Sequence, residues 1–345
     1  MECVPNVSEG RNIETINAIA DAIRSVDGVR VLHIDRGEAA NRTVITFVGS
    51  AQDVVEAAFR MVKCASELID MREHRGEHPR IGATDVLPLI PLKNITLAEC
   101  AELARQLAER IYKELGIPTY CYEAAAYRPE HVNLADCRRG EYEGLRDKMC
   151  DPVMRPDFGD EEYTLQAARS GASVVGARNF LIAVNFNLNT ESREVAAAIA
   201  ARVRASGEVL RDVEGNIVRD EEGRAVRRPG LLRGCKAIGW YIEEYGCAQV
   251  SMNINDVALC PIHTAYETVC AVAKDMGAEV TGTELIGLIP DLCLIEAGRH
   301  FAAEEAGNVV INEEATLMHI AVNAMRMDDL GTFDVAQKVL RVRAN

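Results

Sequence analysis

A short polar segment, HRGEHPR at residues 74–80, holds the side chain best suited to chemistry in this sequence, the imidazole of His78. An unperturbed imidazole titrates near pH ~6.5, so it can accept and return a proton at neutral pH. Gly76 and Pro79 disfavour a helix here and predict a loop that projects the ring into a cleft. His74 and His78 would face one metal ion only on a helix, so we predict no metal site.

The predicted partner of His78 is Asp35, at the end of a strand-like run in the string HIDRG. Its carboxylate can orient an imidazole and stabilise the charged ring, as the acid of a catalytic triad does. The alternative is a loop histidine bonded to backbone, with Glu77 and Arg80 in a surface ion pair, and residue types alone leave both open. The sequence has no Gly-x-Ser-x-Gly motif and no glycine-rich phosphate loop, which leaves proton transfer as the predicted chemistry.

Composition narrows the class of protein. The 345 residues are 48% hydrophobic and 26% charged, and the formal net charge is -15. Such a surface disfavours nucleic acid, and it admits an anionic substrate only where a local basic pocket overrides the global field. We expect no signal peptide and no membrane helix, and eleven scattered cysteines without a CxxC pair predict reduced thiols in the cytoplasm.

Strand-like and helical patterns alternate along both halves of the chain. A capping box, with Thr96 at the N-cap and Glu99 reaching back, predicts one helix start, and Gly116 predicts its end. The predicted strands cover residues 43–48, 86–89, 117–122, 180–185, 238–242, 249–253 and 279–289. The predicted helices cover residues 51–71, 97–115, 193–204 and 263–276, with two more beginning at Asp291 and Glu313.

Self-similarity between the halves predicts a duplicated α/β (α+β) fold. TDVLPLIP at residues 84–91 aligns with TELIGLIP at 283–290, and spaced residues of 14–24 recur within 194–204. The order strand-helix-strand-strand-helix-strand is the ferredoxin-like arrangement, with helices on one face of each sheet. We therefore predict two subdomains, 1–178 and 179–345, with a ligand cleft between them, and an exposed hairpin without catalytic role in the charged insert 207–230.

Several long motifs in order carry a family resemblance: ECVPNVSEGRN, NRTVITFVG, ELIDMREHRGEHPRIGATDVLPLIPL, PDFG and GARNFLIAVNFNL. From residue 2 to about residue 290 the sequence resembles the formiminotransferases, which transfer a formimino group from N-formimino-L-glutamate to tetrahydrofolate in histidine breakdown. The resemblance implies two ferredoxin-like subdomains, a cytoplasmic homodimer and tetrahydrofolate as co-substrate, without a metal. It assigns the catalytic role in the Gly-Glu-His-Pro-Arg stretch to His78. Animal members carry a further cyclodeaminase domain that 345 residues do not hold, so we predict transferase activity only.

The resemblance also implies a folate-binding loop directly after the Asp-Phe-Gly motif. This loop is longer and more acidic than the usual family version. Its residues are Gly159, Asp160, Glu161, Glu162, Tyr163, Thr164, Leu165, Gln166, Ala167, Ala168, Arg169, Ser170 and Gly171.

Both implied substrates are polyanions, which arginine forks suit. The candidates for a local basic pocket are Arg42, Arg80, Arg169 and Arg178. Trp240 and Tyr241 are candidates for the pterin slot or for the core, and His263 is interpreted as part of a helix start. Two rival functions stay open, a formiminotransferase that uses formiminoglycine and a folate-binding protein without turnover.

Overall fold

The structure is a computed structural model and describes residues 1–160, 162–306, 313–329 and 331–341. Its contacts divide the chain into two compact units, Met1–Asn179 and Phe180–Asn345. The division lies one residue from the boundary that the sequence suggested. No helix among these described residues is long and apolar enough to cross a membrane.

The first unit is built on one mixed sheet. Its strands are β1 Glu2–Cys3, β2 Asn6–Val7, β3 Arg30–Gly37, β4 Arg42–Val48, β5 Thr84–Ile90, β6 Thr119–Glu123 and β7 Ser173–Ala177. Its helices are α1 Ile13–Arg24, α2 Ala51–Leu68, α3 Leu97–Leu115, α4 Leu134–Cys137, α5 Leu145–Met149 and α6 Leu165–Ser170, with a 3-10 turn at Pro129–His131. Strands β1 and β2 together fill the place between β4 and β5, and both pairings are antiparallel.

Four strand positions of this sheet form a ferredoxin-like core. Their order is β3, β4, β1 with β2, then β5, and α1 and α2 supply the two crossings. Strands β7 and β6 then extend the sheet in parallel beyond β5. The predicted duplication therefore accounts for the core, while the parallel extension is an addition that local patterns did not reveal.

Hydrophobic side chains cover both faces at the extended end of this sheet. Because successive strand residues point to opposite faces, Cys121 and Val175 join the main core under α1 to α3, whereas Tyr120 and Val174 join a smaller core. Short helices α4 to α6 contribute Cys137, Leu145, Met149 and Ala167 to that smaller core. The prediction of helices on one face of the sheet holds for the ferredoxin-like part. At the extended end the strands bury side chains on both faces.

The second unit repeats the ferredoxin-like core. Its strands are β8 Ile182–Leu188, β9 Glu208–Val209, β10 Arg227–Arg228, β11 Cys235–Ile242, β12 Cys247–Ile254, β13 Val280–Ile286, β14 Ile289–Pro290 and β15 Val339–Leu340. Its helices are α7 Arg193–Val203, α8 Ile262–Asp275, α9 Asp291–Ala306, α10 Glu314–Ala324 and α11 Val335–Lys338. The main sheet runs β11, β12, β8, β13 with antiparallel pairings, the same order as in the first core.

The aligned sequence segments occupy equivalent places in the two cores. Residues 84–91 contain β5, and residues 283–290 contain most of β13. Each of these strands is the fourth strand of its core. The insert 207–230 is an exposed hairpin: β9 pairs with β10, and two further bridges join Arg211 to Ile217 and Arg219 to Ala225. Asp212 and Asp220 accept the turn amides of Asn216 and Arg224.

Candidate active site

His78 lies in a non-helical loop between α2 and β5, as Gly76 and Pro79 predicted. His74 anchors this loop, because its Nε2 bonds the carbonyl of Asn41 at 2.9 Å and its Nδ1 accepts from Arg80 Nε at 3.3 Å. Gly76 is needed here, since a Cβ at that position would lie 2.4 Å from the carbonyl oxygen of Ala40. His74 therefore has a structural role in fixing the loop on the β3–β4 turn.

The imidazole of His78 is oriented by two different contacts. Its Nδ1 lies 2.7 Å from the carbonyl oxygen of Pro79, and its Nε2 contacts Nη1 of Arg42 at the start of β4. A carbonyl only accepts and a guanidinium only donates, so we assign the proton to Nδ1 and the lone pair to Nε2. Burial and the positive charges of Arg42 and Arg138 hold the pKa of His78 well below its usual range. The ring is therefore a neutral proton acceptor at neutral pH.

Asp35, the predicted partner of His78, lies in β3, and its orienting role stays a prediction. The Nδ1 atom of His78 faces the Pro79 carbonyl, so a backbone group contributes to orienting the ring. In β3 the carboxylate of Asp35 lies 3.6 Å from Nε2 of His33. Burial lowers the pKa of Arg42 to about 10, and Asp85 and Asp35 counteract this fall. Asp35 therefore acts electrostatically on the arginine that contacts His78.

The sequence analysis missed a buried ion pair, Asp85 with Arg138, whose charges act on Arg42. Asp85 in β5 is 1% exposed at its side chain and accepts from Nε of Arg138 at 3.1 Å and also from its Nη2. Asp85 also accepts from the Ile81 amide at 3.1 Å. A carboxylate inside the apolar string ATDVLPLI requires a buried partner, and that was the available signal. No local feature marked Arg138 as that partner.

Arg80 is already balanced by carboxylates. Its guanidinium donates to Glu143 at 2.7 and 2.8 Å and to Glu141 at 3.0 Å, and its side chain is nearly buried. These acids raise the pKa of Arg80, and the Arg80 bond lowers the pKa of Glu143 to about 2. A cavity of about 430 Å³ adjoins the group, lined by Arg75, Gly76, Arg80, Gly140, Glu141 and Glu143. The expected surface pair of Glu77 with Arg80 is replaced by this partly buried cluster.

Arg169 and Arg178 bond to other parts of the first unit. Arg169 donates to the carbonyl of Glu67 at 2.6 Å, near the end of α2. Arg178 donates to the Asn179 carbonyl at 3.0 Å and stabilises the charged forms of Glu2 and Tyr122, which burial opposes. Of the four predicted arginines, the structure brings Arg42 into contact with His78.

The predicted folate loop is half helical. Thr164 caps α6 by accepting the Ala167 amide at 3.1 Å, so residues 165–170 form a helix where the sequence analysis expected loop. Leu165 is exposed, whereas Ala167 and Ser170 are buried and present no side chain for a ligand. Glu161 lies outside the described residues.

The end of this segment is joined to the chain around the His78 loop. The carbonyl of Ser170 accepts from the Ala83 amide at 2.8 Å, the carbonyl of Arg169 accepts from the Met71 amide at 2.8 Å, and Gly171 forms a bridge with Gly82. The segment implied for folate and the loop of the predicted base are thus neighbours.

One face of the second sheet carries a partly buried polar network. Trp240 Nε1 donates to Gln249 at 2.9 Å, Gln249 donates to Asn187 at 2.5 Å, and Asn185 donates to Glu284 at 2.9 Å. Alternation of polar and apolar residues in β8 was the signal for this face. His263 lies in the first turn of α8, close to its predicted position, and stacks on His300 with centroids 4.4 Å apart.

Comparisons with known proteins show which family the chain resembles. The family model described as the formiminotransferase domain, N-terminal subdomain, matches residues 1–178, and that of the formiminotransferase domain matches residues 183–344. A glutamate formimidoyltransferase of Streptococcus pyogenes serotype M1 is 41% identical over 305 residues, which are 88% of this chain and 94% of that protein. One of Thermoplasma acidophilum is 39% identical, over 87% of this chain and 91% of that protein.

Longer relatives match as well. A formimidoyltransferase-cyclodeaminase of Dictyostelium discoideum is 38% identical over 340 residues, which are 99% of this chain and 59% of that protein. The chain thus spans about three fifths of such relatives. Two subdomain models in sequence and a relative of similar length at 41% identity establish that the chain belongs to the formiminotransferase family.

Proposed function

We propose that this protein transfers the formimino group of N-formimino-L-glutamate to N5 of tetrahydrofolate, giving L-glutamate and 5-formiminotetrahydrofolate. The relatives named glutamate formimidoyltransferase support the reaction class. The geometry that carries the proposal is the position of His78 on a fixed loop, with Nδ1 facing the Pro79 carbonyl and Nε2 in contact with Arg42. A pure folate-binding protein has no need of a neutral base in that place.

The reaction requires one nitrogen to replace another at the amidine carbon. N5 of tetrahydrofolate attacks the carbon of the protonated formimino group, whose C=N electron pair moves to the terminal nitrogen, and Nε2 of His78 accepts the N5 proton as the tetrahedral intermediate forms. The same proton then passes to the nitrogen of the departing glutamate while its carbon–nitrogen bond breaks. General acid–base catalysis of this kind contributes roughly 10²–10⁴-fold in rate. Holding both substrates in place adds up to ~7–11 kcal/mol in favourable cases.

The arginines and the folate segment complete the proposal. Arg42 binds a carboxylate of the donor, and Asp35 supports the Arg42 cation. Residues 159–171 bind folate mainly through residues 159–164 and backbone groups, because Ala167 and Ser170 are buried. Arg80 and Arg178 act as braces for neighbouring carboxylates.

We propose a homodimer that acts in histidine breakdown, without a resident metal. Free buried thiols such as Cys3, Cys121 and Cys260 support a cytoplasmic location. Sedimentation analysis tests the dimer.

His78→Ala tests the function. We expect the variant to keep its melting temperature and tetrahydrofolate affinity while kcat falls roughly 10²–10⁴-fold, because one proton acceptor is lost. The assay follows absorbance of the folate product with formiminoglutamate and, separately, formiminoglycine, which also decides the donor. The control is His319→Ala on the exposed side of α10, and wild-type kcat in His78→Ala would reject the assigned base.

A further inference from the structure

Two arginines from distant parts of the chain act on the predicted base, Arg42 by contact and Arg138 by its charge. Arg42 begins β4 and contacts His78 Nε2, and Arg138 ends α4 with two bonds to Asp85. The positive charge of Arg138 lowers the pKa of Arg42, and both cations lower that of His78. The two guanidiniums and the ring therefore share one electrostatic environment.

The two arginines differ in their hydrogen-bond acceptors: Arg138 has the carboxylate of Asp85, whereas Arg42 has the ring of His78. The buried carboxylate of Asp85 is held by Arg138 and the Ile81 amide. The charge of Asp35 raises the pKa of Arg42, against the effect of burial. Among the described residues, the hydrogen bond of the Arg42 guanidinium goes to a neutral imidazole. A desolvated guanidinium gains most from an ionised acceptor, because charge-assisted and bidentate bonds are the strong ones.

We infer that Arg42 and Arg138 form a clamp for a carboxylate of the amino-acid donor, and that occupation of this clamp releases Nε2 of His78 for proton transfer. The inference rests on the proposed function, and it adds Arg138 as a positioning residue. The ligand is the carboxylate of an amino acid. Arg42 donates hydrogen bonds to it directly, and Arg138 attracts it through its positive charge.

The consequence for the base follows from simple electrostatics. A bound carboxylate draws the Arg42 N–H groups away from the imidazole and offsets the field of both cations. The pKa of His78 then rises toward its ordinary value, and the ring becomes a stronger proton acceptor. The base is thus weak in the free enzyme and effective once the donor is bound.

Titration of His78 by NMR tests the clamp. The spectra record the pKa of the ring in wild-type protein with and without saturating L-glutamate, with His78→Asn used to assign its signal. We expect L-glutamate to raise this pKa by about 1 or more. In Arg42→Gln the pKa of the free protein is already higher, and L-glutamate adds little. Arg138→Gln shows a smaller glutamate effect than wild type.

Arg139→Gln is the matched control, because Arg139 is adjacent, exposed and bonded to Asp136. We expect it to titrate like wild type. Arg138→Gln leaves Asp85 buried without its cation, so Arg138→Lys and thermal denaturation accompany it. Arg138→Lys keeps the charge and is expected to keep most of the glutamate effect, which loss of folding would not allow.

The outcomes separate the clamp from the proposed function. Calorimetric binding of L-glutamate and normal turnover, with an unchanged pKa of His78, would overturn the clamp and leave formimino transfer intact. If L-glutamate raises the pKa of His78 equally in Arg138→Gln and in wild type, Arg138 is not part of the clamp. Absence of folate product with either donor in the wild-type protein would instead overturn the proposed function.

Discussion

Proton transfer in this site depends on which nitrogen of His78 carries the proton. The carbonyl of Pro79 takes the Nδ1 proton, and the guanidinium of Arg42 faces the lone pair of Nε2. The Pro79 carbonyl and the Arg42 guanidinium thus contribute to orienting the ring, a task to which a carboxylate contributes in a triad. The cost is reduced basicity, since both the burial and the cations oppose protonation of the ring.

This electrostatic setting predicts the pH dependence of kcat/KM. The pKa of His78 in the free enzyme is lowered, so the base stays unprotonated as the pH falls through about 6.5. We expect the acid limb of kcat/KM to lie below that pH, and Arg42→Gln to move it upward. A pH profile with formiminoglutamate measures this, and a wild-type limb centred at or above the ordinary histidine value would contradict it.

Glu2 is a second residue whose ionisation the fold opposes. Its carboxyl is buried in β1, both oxygens have no hydrogen-bond partner among the described residues, and burial raises its pKa from 4.5 to about 7. A raised pKa gives stability that is present below the unfolded value and lost as the pH rises through about 7.

Glu2→Gln should therefore stabilise the protein at high pH. We expect little change in the free energy of unfolding at pH ~5 and a gain of up to ~3 kcal/mol at pH ~8, since one pH unit is worth about 1.4 kcal/mol. Denaturant unfolding at both pH values measures the difference. Equal effects of the substitution at the two pH values would exclude a raised pKa.

At the scale of elements, the loop between α2 and β5 is held from several directions. His74 bonds the β3–β4 turn, and Arg80 bonds both His74 and the carboxylates of Glu141 and Glu143. The strand that follows is buried along its whole length, so the end of the loop cannot shift without moving β5. Precise placement of His78 is thus a property of the element and its contacts.

Arg80→Gln tests whether Arg80 stabilises the loop or contacts the substrate. Removing charge-assisted bonds from a nearly buried guanidinium should cost about 1–3 kcal/mol of stability. We expect kcat to fall because His78 loses its fixed position, while KM for the donor changes little. Thermal denaturation and steady-state kinetics measure this, with exposed Arg75→Gln as control. A large rise in KM with unchanged stability would restore Arg80 as a substrate contact.

At the scale of the whole molecule, net charge and substrate charge have the same sign. The chain carries a formal charge of -15, and the proposed donor carries two carboxylates. Long-range repulsion therefore slows encounter, whereas the arginines next to His78 attract at short range. Salt screens the long-range part first, because the Debye length falls from about 30 Å at ~0.01 M to about 10 Å at ~0.1 M.

We accordingly expect kcat/KM for formiminoglutamate to rise with added salt over that range. Formiminoglycine has one carboxylate and should show a smaller rise, which makes it the matched comparison. Initial rates at low donor concentration in a constant buffer measure the effect. A steady fall in kcat/KM with salt would mean that the local arginines dominate the encounter.

Local sequence determined the elements and the duplication, because helical and strand periodicity, capping boxes and glycine or proline stops act over a few residues. Thr96 and Glu99 form the predicted capping box, and the aligned segments at 84–91 and 283–290 supply equivalent strands. The interruption of helix at Gly76 and Pro79 likewise identified the loop of His78. The parallel strands β6 and β7 were not predicted as an extension, since pairing between distant strands leaves no local trace.

Tertiary structure alone decided the partners of the candidate base. Arg42, Asp85 and Arg138 belong to β4, β5 and the end of α4, and sheet pairing and packing bring them near one imidazole. The same packing places Glu141 and Glu143 beside Arg80. About half of the predicted folate segment forms a helix in the folded chain. Residue type predicts which chemistry a side chain offers, but its pKa and partners depend on burial and distance, which only the folded chain defines.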